Sequence, residues 1–514
     1  MKAIQKLGLG IFLLALLLFN ALLFMGQFRL TEAQLQESVK QEHVEVLRQE
    51  LQPMLGETYS SSFSFATDFN RLLDNYNEEQ QRSQQWDRVI WDDYAFALAR
   101  VASQGFVENN KLLLLFLTII VGAAGALLYI LPQYRGEPAG VKNNGVMFSS
   151  NKSRGVVGIT IGVYLTAIYV LLYWYPEYIV NWALLVDPLS YTLSGGPASQ
   201  WFLYGTIYTL AILVMGVRMF RKYKGNNYQL LRTASVMFFQ LSFAFLIPEI
   251  LVVLNLPWYD LKNIWPLDYD FFFEYSVASM LGSGSAGLFL FIWGILLIIV
   301  AVPLFTYFYG KRWYCSWVCG CGGLAETAGD PYRHLSDKSL KAWKVERWMV
   351  YPILVIITVI TLLTIANYFT EFALLKQSTD MLHQWYGFLI GAAFAGVVGV
   401  GFYPLMGNRV WCRFGCPLAA YIGIVQRYKS RFRITTNGGQ CISCGNCSTY
   451  CEMGIDVRWY AQRGQNIVRA SCVGCGICAS VCPRGVLKLE NGPEQGRITD
   501  IPFLTGNESI KVLN

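Results

Sequence analysis

The sequence predicts an α-helical membrane protein with about eight transmembrane helices and a small, cysteine-rich α+β domain at its C-terminal end. Of the 514 residues, 54% are hydrophobic and only 15% are charged, whereas soluble domains carry roughly 25% charged residues. The mean hydropathy is +0.36. All thirteen Cys lie between Cys315 and Cys482. Clustering of this kind is typical of metal ligation on a reducing side of the membrane, and a secreted protein with disulfides would spread its Cys more widely.

Eight segments are long and apolar enough to cross a bilayer, since a helix needs about 20 predominantly apolar residues to do so. The first resembles a signal peptide, but no small-x-small cleavage site follows it. We therefore interpret it as an uncleaved anchor. The predicted spans are 7–25, 111–131, 156–174, 201–218, 233–255, 287–309, 349–367 and 386–405.

Positive charge alternates between the loops that join these spans. Loops 132–155, 219–232 and 310–348 carry four, four and seven Lys or Arg, while the three alternate loops 175–200, 256–286 and 368–385 carry none, one and one. Cytoplasmic loops are enriched in Lys and Arg. The pattern predicts a multi-pass protein of the bacterial cytoplasmic (inner) membrane with both termini in the cytoplasm.

The chain divides into four predicted parts. They are a transmembrane anchor (1–25), an extracytoplasmic helical segment (26–110), a membrane domain (111–426) and a cytoplasmic domain (427–514). Apolar residues of the second part fall on helical faces, one of which includes Trp86, Trp91, Tyr94 and Leu98. This part holds fourteen acidic and seven basic residues, which is typical of a solvated surface; a docking surface for a basic partner is the alternative.

Two cysteine runs carry the strongest motif. Residues 441–451 have the pattern C-x2-C-x2-C-x3-C, and residues 472–482 repeat it with Pro483 directly after. In bacterial ferredoxins, three Cys of each run bind one four-iron cluster and the fourth binds the other. Two [4Fe-4S] clusters are thus predicted, and zinc is the disfavoured alternative. The first is assigned to Cys441, Cys444, Cys447 and Cys482, and the second to Cys472, Cys475, Cys478 and Cys451. Glu452 stands where Pro is usual, which removes no ligand.

A second, repeated motif lies upstream. The pattern G-x-R-x-aromatic-C-x-aromatic-x-C occurs at 310–319 and again at 407–416. Each copy follows a predicted span, and C-x3-C on a helix would put both thiols on one side. The four Cys could hold a third iron–sulfur cluster, bind Cu(I), form a dithiol/disulfide pair or simply be small buried residues. These residues are Cys315, Cys319, Cys412 and Cys416. Cys321 is a spare ligand or a bystander.

Over residues 287–490, the combination of these motifs resembles the NapH/NosR/CcoG family of membrane polyferredoxins. The resemblance implies electron transfer between quinone-pool or cytoplasmic donors and a membrane or extracytoplasmic redox partner. Some members of this family instead assist metallocofactor assembly, including copper reduction. The chain has Gly320 where the family usually has Pro. Residues 26–110 lack the flavin-attachment motif of NosR-like members, so a flavin on this chain is doubtful.

The leading functional hypothesis is membrane-bound electron transfer, with the protein as one electron-transfer component of a quinol-linked oxidoreductase. Assembly of a copper or cluster cofactor for a respiratory enzyme, and redox sensing, are the alternatives. The expected partners are membrane lipid, quinone and redox proteins on either side, and not nucleic acid. Glu249, in a predicted span, is a candidate for a proton or quinone role. The three His do not pair on facing spans, so no haem is expected.

Overall fold

A computed structural model describes residues 3–134, 155–370, 375 and 378–492. The predicted fold class is confirmed, because this part of the chain contains eight helices that are long and apolar enough to cross a membrane. Several extend beyond the predicted apolar core, since polar residues continue the helix at one or both ends. The eight helices are Ala3–Phe24, Lys111–Gln133, Val156–Trp174, Gln200–Lys222, Asn227–Val253, Gly284–Tyr309, Leu340–Phe369 and Ser378–Gly401.

The chain forms two compact units. The first contains residues 1–135 and 168–210, and the second contains residues 136–167 and 211–514. In the first unit, Ala3–Phe24 packs closely on Lys111–Gln133 through glycines. A Cβ added to Gly8 would lie 2.6 Å from the backbone nitrogen of Tyr129. Small residues let membrane helices approach in this way, which increases their van der Waals contact.

Residues 26–110 of the first unit form several short helices and one antiparallel strand pair, Gln27–Phe28 with Ser103–Gln104. Leu35, Phe65 and Leu98 form part of its fully buried core. The predicted helical face from Trp86 to Leu98 is wrong, because the helix begins only at Ala95 and Trp91 is 73% exposed. The helices are Glu32–Ser38, Gln41–Glu50, Ser62–Arg82, Ala95–Ala102 and Phe106–Asn109.

In the second unit, the segment between Val253 and Glu274 lies among the spans without helical structure. The Trp265 indole donates a hydrogen bond to Thr361 Oγ1 (3.0 Å). Trp293 donates to the Leu261 carbonyl (2.8 Å), and Tyr314 donates to the Lys262 carbonyl (2.9 Å). Non-helical backbone at membrane depth is tolerated only where protein or a cavity surrounds it. Through the carbonyl of Lys262, this segment contacts Tyr314, the residue before Cys315.

The C-terminal domain contains one antiparallel strand pair, Phe432–Thr436 with Leu487–Asn491, in which Ile434 faces Leu489. The two cysteine runs lie between these strands. Each run ends in a single helical turn that begins after a glycine, which is why the fourth Cys comes directly after a turn. The helices of this domain are Asn446–Thr449, Val457–Gln462 and Ile477–Ser480.

Four shorter helices carry the repeated membrane motif, two between Gly284–Tyr309 and Leu340–Phe369 and two between Ser378–Gly401 and the C-terminal domain. Their positions decide where the membrane cysteines lie, because one of them ends at a cysteine and two begin directly after one. They are Arg312–Cys315, Gly320–Glu326, Val410–Phe414 and Pro417–Lys429.

Candidate metal centres

The first ferredoxin site is a cavity near the protein surface. Its empty volume is about 360 Å³. Cys444 is exposed. Burial, together with repulsion from the other three thiols, raises the pKa of the Cys447 thiol to about 11. The cysteines that line the cavity are Cys441, Cys444, Cys447 and Cys482. The structure thus brings together three Cys of the first run and the last Cys of the second, as the crossed assignment requires.

The second ferredoxin site is more deeply buried. Burial raises the pKa of the Cys478 thiol, and repulsion from Cys475, Cys472 and Cys451 raises it further. Interaction among these four thiols is the arrangement that the crossed assignment predicts for the second cluster. Cys447 of the first site also acts on Cys478, so the two sites adjoin.

The loop of the second site is attached to the beginning of the helix Asn227–Val253. Tyr228 donates a hydrogen bond to the Gly474 carbonyl (2.7 Å), and Gln229 donates to the Cys475 carbonyl (2.8 Å). Gly476 has φ +76°, and a Cβ there would lie 2.9 Å from the Tyr228 ring. Glycine suits this position because it adopts a left-handed backbone without strain and leaves room for the close approach of the Tyr228 ring. The second site is thereby fixed against the membrane domain.

The four repeated membrane cysteines line one cavity, whose empty volume is about 280 Å³. They do not lie pairwise on one helix, and that expectation is wrong. In each copy a short helix ends near the first Cys, the chain turns, and the second Cys is the N-cap of the next helix. The four are Cys315, Cys319, Cys412 and Cys416, and Tyr314, Trp411 and Cys321 also line the cavity. We call this cavity the membrane-edge site.

Comparison with known proteins agrees with this geometry. A model described as a 4Fe-4S binding domain matches residues 291–339 and 387–435, which contain the two copies of the membrane motif. A 4Fe-4S dicluster domain model matches residues 440–487. Both matches lie in a chain whose described residues include eight candidate spans. These findings fit a membrane polyferredoxin.

Two relatives match this chain over part of their own length. The putative electron transport protein YccM of Escherichia coli is 30% identical over 157 residues, which cover 29% of this chain and 43% of YccM. The methylamine utilization ferredoxin-type protein MauN of Methylobacillus flagellatus is 27% identical over 154 residues, which cover 30% of this chain and 52% of MauN. The chain therefore spans about half the length of each relative. No solved structure matches it. Together the matched domains give this chain 4Fe-4S binding regions both beside its spans and in its C-terminal domain.

The cysteine sulfur atoms of this chain suit iron–sulfur clusters as ligands. Burial raises the pKa of Cys315 to about 12 and that of Cys472 to about 11, so thiolates are costly there without nearby positive charge. Iron would supply that charge, and thiolate is the ligand that such clusters use. Buried guanidinium groups lie beside the thiols as well. Arg409 Nη1 is 3.6 Å from Cys412 Sγ, and Arg333 Nη1 is 3.8 Å from Cys475 Sγ.

Cys321 lies in the wall of the membrane-edge site, where sequence reasoning left it unassigned. Its thiol forms a hydrogen bond with Cys319 that lowers the pKa of Cys319. Lys262 lies in the segment that enters between the spans, and its charge interacts with both thiols. Burial is nevertheless the largest influence on the pKa of Lys262 itself. A fifth thiol and a lysine therefore adjoin the four motif cysteines.

Sequence reasoning missed the buried ion pairs that lie between the sites. Glu452, noted only as a departure from the usual Pro, is completely buried. Burial alone would raise the pKa of Glu452, but Arg333 and Arg409 outweigh it and lower the pKa to about 2. The one signal in the sequence was an acidic residue beside a cluster ligand. Its partners are distant in the chain, so no local pattern reveals them.

Glu249 lies away from these sites. Its carboxylate accepts a hydrogen bond from the exposed Trp258 indole (3.3 Å), and no hydrogen bond joins it to a cysteine among the described residues. Its proton or quinone role stays a prediction.

Proposed function

We propose that this protein is an iron–sulfur electron-transport protein that carries single electrons along three sites, from a soluble carrier at the first ferredoxin site to a membrane partner at the membrane-edge site. When bound, [4Fe-4S] clusters accept and donate one electron at a time. The protein holds the ligands, excludes water and sets the electrostatic surroundings. We further propose that the ferredoxin domain faces the cytoplasm of a bacterial inner membrane, because the flanking loops carry the positive charge.

A gradient of burial carries this proposal. Cys444 is exposed at the first site, whereas the four motif cysteines of the membrane-edge site are all buried. Cys447, Cys472 and Cys412 belong to one continuous hydrophobic core that includes cysteines of all three sites. Gln426 links the second site to the membrane edge, since its amide donates to the Cys472 carbonyl (2.8 Å) and its Oε1 accepts from the Lys311 backbone (2.5 Å). A soluble partner can thus reach one end of the series, and the membrane lies at the other.

The exposed end fits an acidic electron carrier. Arg458 and Arg484 line the first cavity and are exposed. Complementary charge steers association and raises its rate, and the effect weakens with salt. Arg433, the last of four basic residues between 427 and 433, is buried in a strand. The docking surface that we propose is therefore around Arg458 and Arg484.

A pocket near the other end fits a membrane quinone. Its empty volume is about 1070 Å³, and most of its lining is apolar. Arg413 lies in the lining and is buried, and its Nη2 has no hydrogen-bond partner within the described residues. Phe394, also in the lining, contacts the ring of Trp411, which borders the membrane-edge site (centroids 5.8 Å apart). A quinone carbonyl would accept a hydrogen bond from this Nη2–H group, and the quinone's tail would lie along the apolar wall.

Stopped-flow reduction of the purified full-length protein tests the carrier end. Reduced flavodoxin, a small acidic carrier, should reduce the wild type rapidly at low salt and slowly at high salt. Arg458→Glu with Arg484→Glu should slow the low-salt rate tenfold or more. Lys488→Glu, an exposed change on the neighbouring strand, is the matched control. Equal rates for wild type and double variant would overturn the proposed docking surface.

Oxidation by decylubiquinone tests the membrane end. Arg413→Leu should slow the oxidation of dithionite-reduced clusters by this quinone, while ferricyanide still oxidises them fully. Arg347→Gln is the control, because this arginine is exposed and its guanidinium lies against Trp343 outside the pocket. If decylubiquinone oxidises no reduced cluster in the wild type, the membrane partner is not a quinone.

Cofactor assembly remains a second candidate because of Cys321. Five thiols around one small cavity would also suit Cu(I), which prefers soft sulfur ligands. Metal analysis of the purified protein separates the two functions. About twelve iron atoms per chain would support three clusters, whereas about eight iron atoms with one copper would support assembly.

A further inference from the structure

A buried network of charged side chains lies between the membrane-edge site and the second ferredoxin site. Glu452 is at its centre. Its Oε1 pairs with Arg409 Nη2 (3.1 Å), and its Oε2 pairs with Arg333 Nη1 (2.9 Å). Both arginines also contact cysteine sulfur, since Arg409 Nη1 contacts Cys412 Sγ and Arg333 Nη1 contacts Cys475 Sγ. One carboxylate thus connects two guanidinium groups, and each of these contacts a different site.

Further charges extend the network on both sides. Glu326 pairs with Arg409 (2.5 Å) and with Arg232 (2.6 Å). Asp330 pairs with Arg333, and also with Arg218 (2.9 Å) and Lys222 (2.6 Å). Arg232 also donates to the Cys475 carbonyl (2.7 Å). All of these side chains are buried or nearly so.

The network carries a surplus of positive charge. Within the described residues, the eight side chains named above are five basic and three acidic, so basic groups outnumber acidic ones in the network. Arg333 Nη2 and Arg409 Nε also have no hydrogen-bond acceptor within the described residues. An unmatched buried charge is expensive. The anions closest to this surplus are the cysteine sulfurs at its two ends.

We propose that the Arg333–Glu452–Arg409 bridge sets the reduction potentials of both sites and makes them depend on one shared carboxylate. The inference rests on the proposed function, in that both sites hold clusters. Reduction adds negative charge to a site, so each arginine raises the potential of the site that it contacts. Glu452 partly cancels both arginines and lowers both potentials. Its central position makes it a positioning and tuning residue for two sites at once.

Electron transfer between the two sites then needs no bond change and no proton transfer in the network. One electron leaves the site of Cys475 and the same electron arrives at the site of Cys412, so one site is oxidised and the other reduced. No bond forms or breaks. Every arginine and carboxylate keeps its charge, so no proton has to enter this buried region.

Redox titration of the full-length protein followed by EPR tests the proposal. Glu452→Gln should raise both potentials, each by a tenfold change in the reduced-to-oxidised ratio or more, which is about 59 mV for a one-electron couple. Arg409→Gln should lower the potential of the membrane-edge site alone, and Arg333→Gln that of the second ferredoxin site alone. Arg409→Lys and Arg333→Lys keep the charge and should restore most of each shift.

Glu346→Gln is the matched control. Glu346 is another buried carboxylate paired with an arginine, Arg413 (2.9 Å), but it is not part of the Arg333–Glu452–Arg409 bridge. It should leave both potentials unchanged. If Glu452→Gln shifts only one potential or neither, the shared bridge is wrong. If Glu452→Gln fails to assemble, the Lys variants decide, since a potential that moves as far with Lys as with Gln would show a packing role and overturn the proposal.

The potentials are measured without any carrier, which separates this inference from the proposed function. Absence of a membrane-edge signal in the wild type would overturn the three-site proposal. Two intact signals with unshifted potentials in all variants would overturn only the bridge.

Discussion

Cys319 and Cys416 occupy the same position in two copies of one local fold. Each is the N-cap of a helix, with φ and ψ of −64° and 129° for Cys319 and −75° and 112° for Cys416. The backbone N–H of Cys319 donates to the Tyr314 carbonyl (2.8 Å), and that of Cys416 donates to the Trp411 carbonyl (2.9 Å). The aromatic residue of each motif therefore fixes the turn that presents the second thiol.

Because both turns direct their thiols to one cavity, Cys416→Ser should remove one whole cluster. We expect the iron content to fall by about four atoms per chain. The remaining eight iron atoms and the EPR signals of the ferredoxin domain should be retained. Iron quantitation and low-temperature EPR measure both.

Cys321→Ser is the control for this loss. Cys321 lines the same cavity but stands outside the repeat, so its variant should keep the full iron content. An unchanged iron content in Cys416→Ser would show that the membrane-edge site holds no cluster.

The crossed ligand assignment gives a second prediction. Cys482→Ser should alter the cluster at the first site, and Cys451→Ser the cluster at the second, although each residue lies in the other run. The two signals are distinguishable, because Cys444 is exposed and Cys472 is buried. A paramagnetic ion added to the solution should relax the signal of the first site more strongly.

The outcome that contradicts this assignment is an exchange of effects. If Cys482→Ser alters the signal that is insensitive to the added ion, each run binds its own cluster. Cys321→Ser again serves as the unaltered reference.

The sequence was sufficient for features that depend on neighbouring residues. The spacing of the two ferredoxin runs, the eight apolar spans and the repeat of the membrane motif are all local patterns. A thiol at every third residue needs no knowledge of the fold to suggest a cluster. The spans follow from twenty or so apolar residues in succession.

Other features depend on residues that are far apart in the chain. Arg333 and Glu452 meet across 119 positions of the sequence, and Lys262 reaches the membrane-edge site through a segment without regular structure. No periodicity encodes such contacts. The helix assumed for C-x3-C was wrong because the chain turns between the two thiols, with the second starting a new helix.

Packing of the first helix gives a third prediction. A Cβ on Gly125 would lie 2.7 Å from the backbone nitrogen of Phe12, whereas one on Gly10 would meet nothing within 4 Å. Gly125→Leu should therefore destabilise the pair Ala3–Phe24 with Lys111–Gln133 by about 1–3 kcal/mol or more. Gly10→Leu should change little.

Thermal unfolding in detergent at a fixed scan rate compares these two variants with the wild type. A lower midpoint for Gly125→Leu alone is expected. Equal midpoints for all three proteins would show that the close approach of the two helices contributes little to stability.

A matched pair of glycines tests how the second ferredoxin site is attached to the membrane domain. Gly445 and Gly476 are equivalent in the two runs and have φ of +78° and +76°. Alanine at either position therefore costs about 1–2 kcal/mol for the left-handed backbone. Only at Gly476 would the added Cβ also meet the Tyr228 ring at 2.9 Å, since Gly445 has its nearest neighbour at 4.0 Å.

Gly476→Ala should therefore lose more stability than Gly445→Ala, by a further 1–3 kcal/mol or so. It should also slow electron transfer from the ferredoxin domain to the membrane-edge site, because the second ferredoxin site would no longer be held against the membrane domain. The midpoint of thermal unfolding measures the first effect, and rapid-freeze EPR after mixing with a reductant measures the second. If both alanine variants lose the same stability and keep the wild-type transfer rate, the contact of Gly476 with Tyr228 does not hold the second site against the membrane domain.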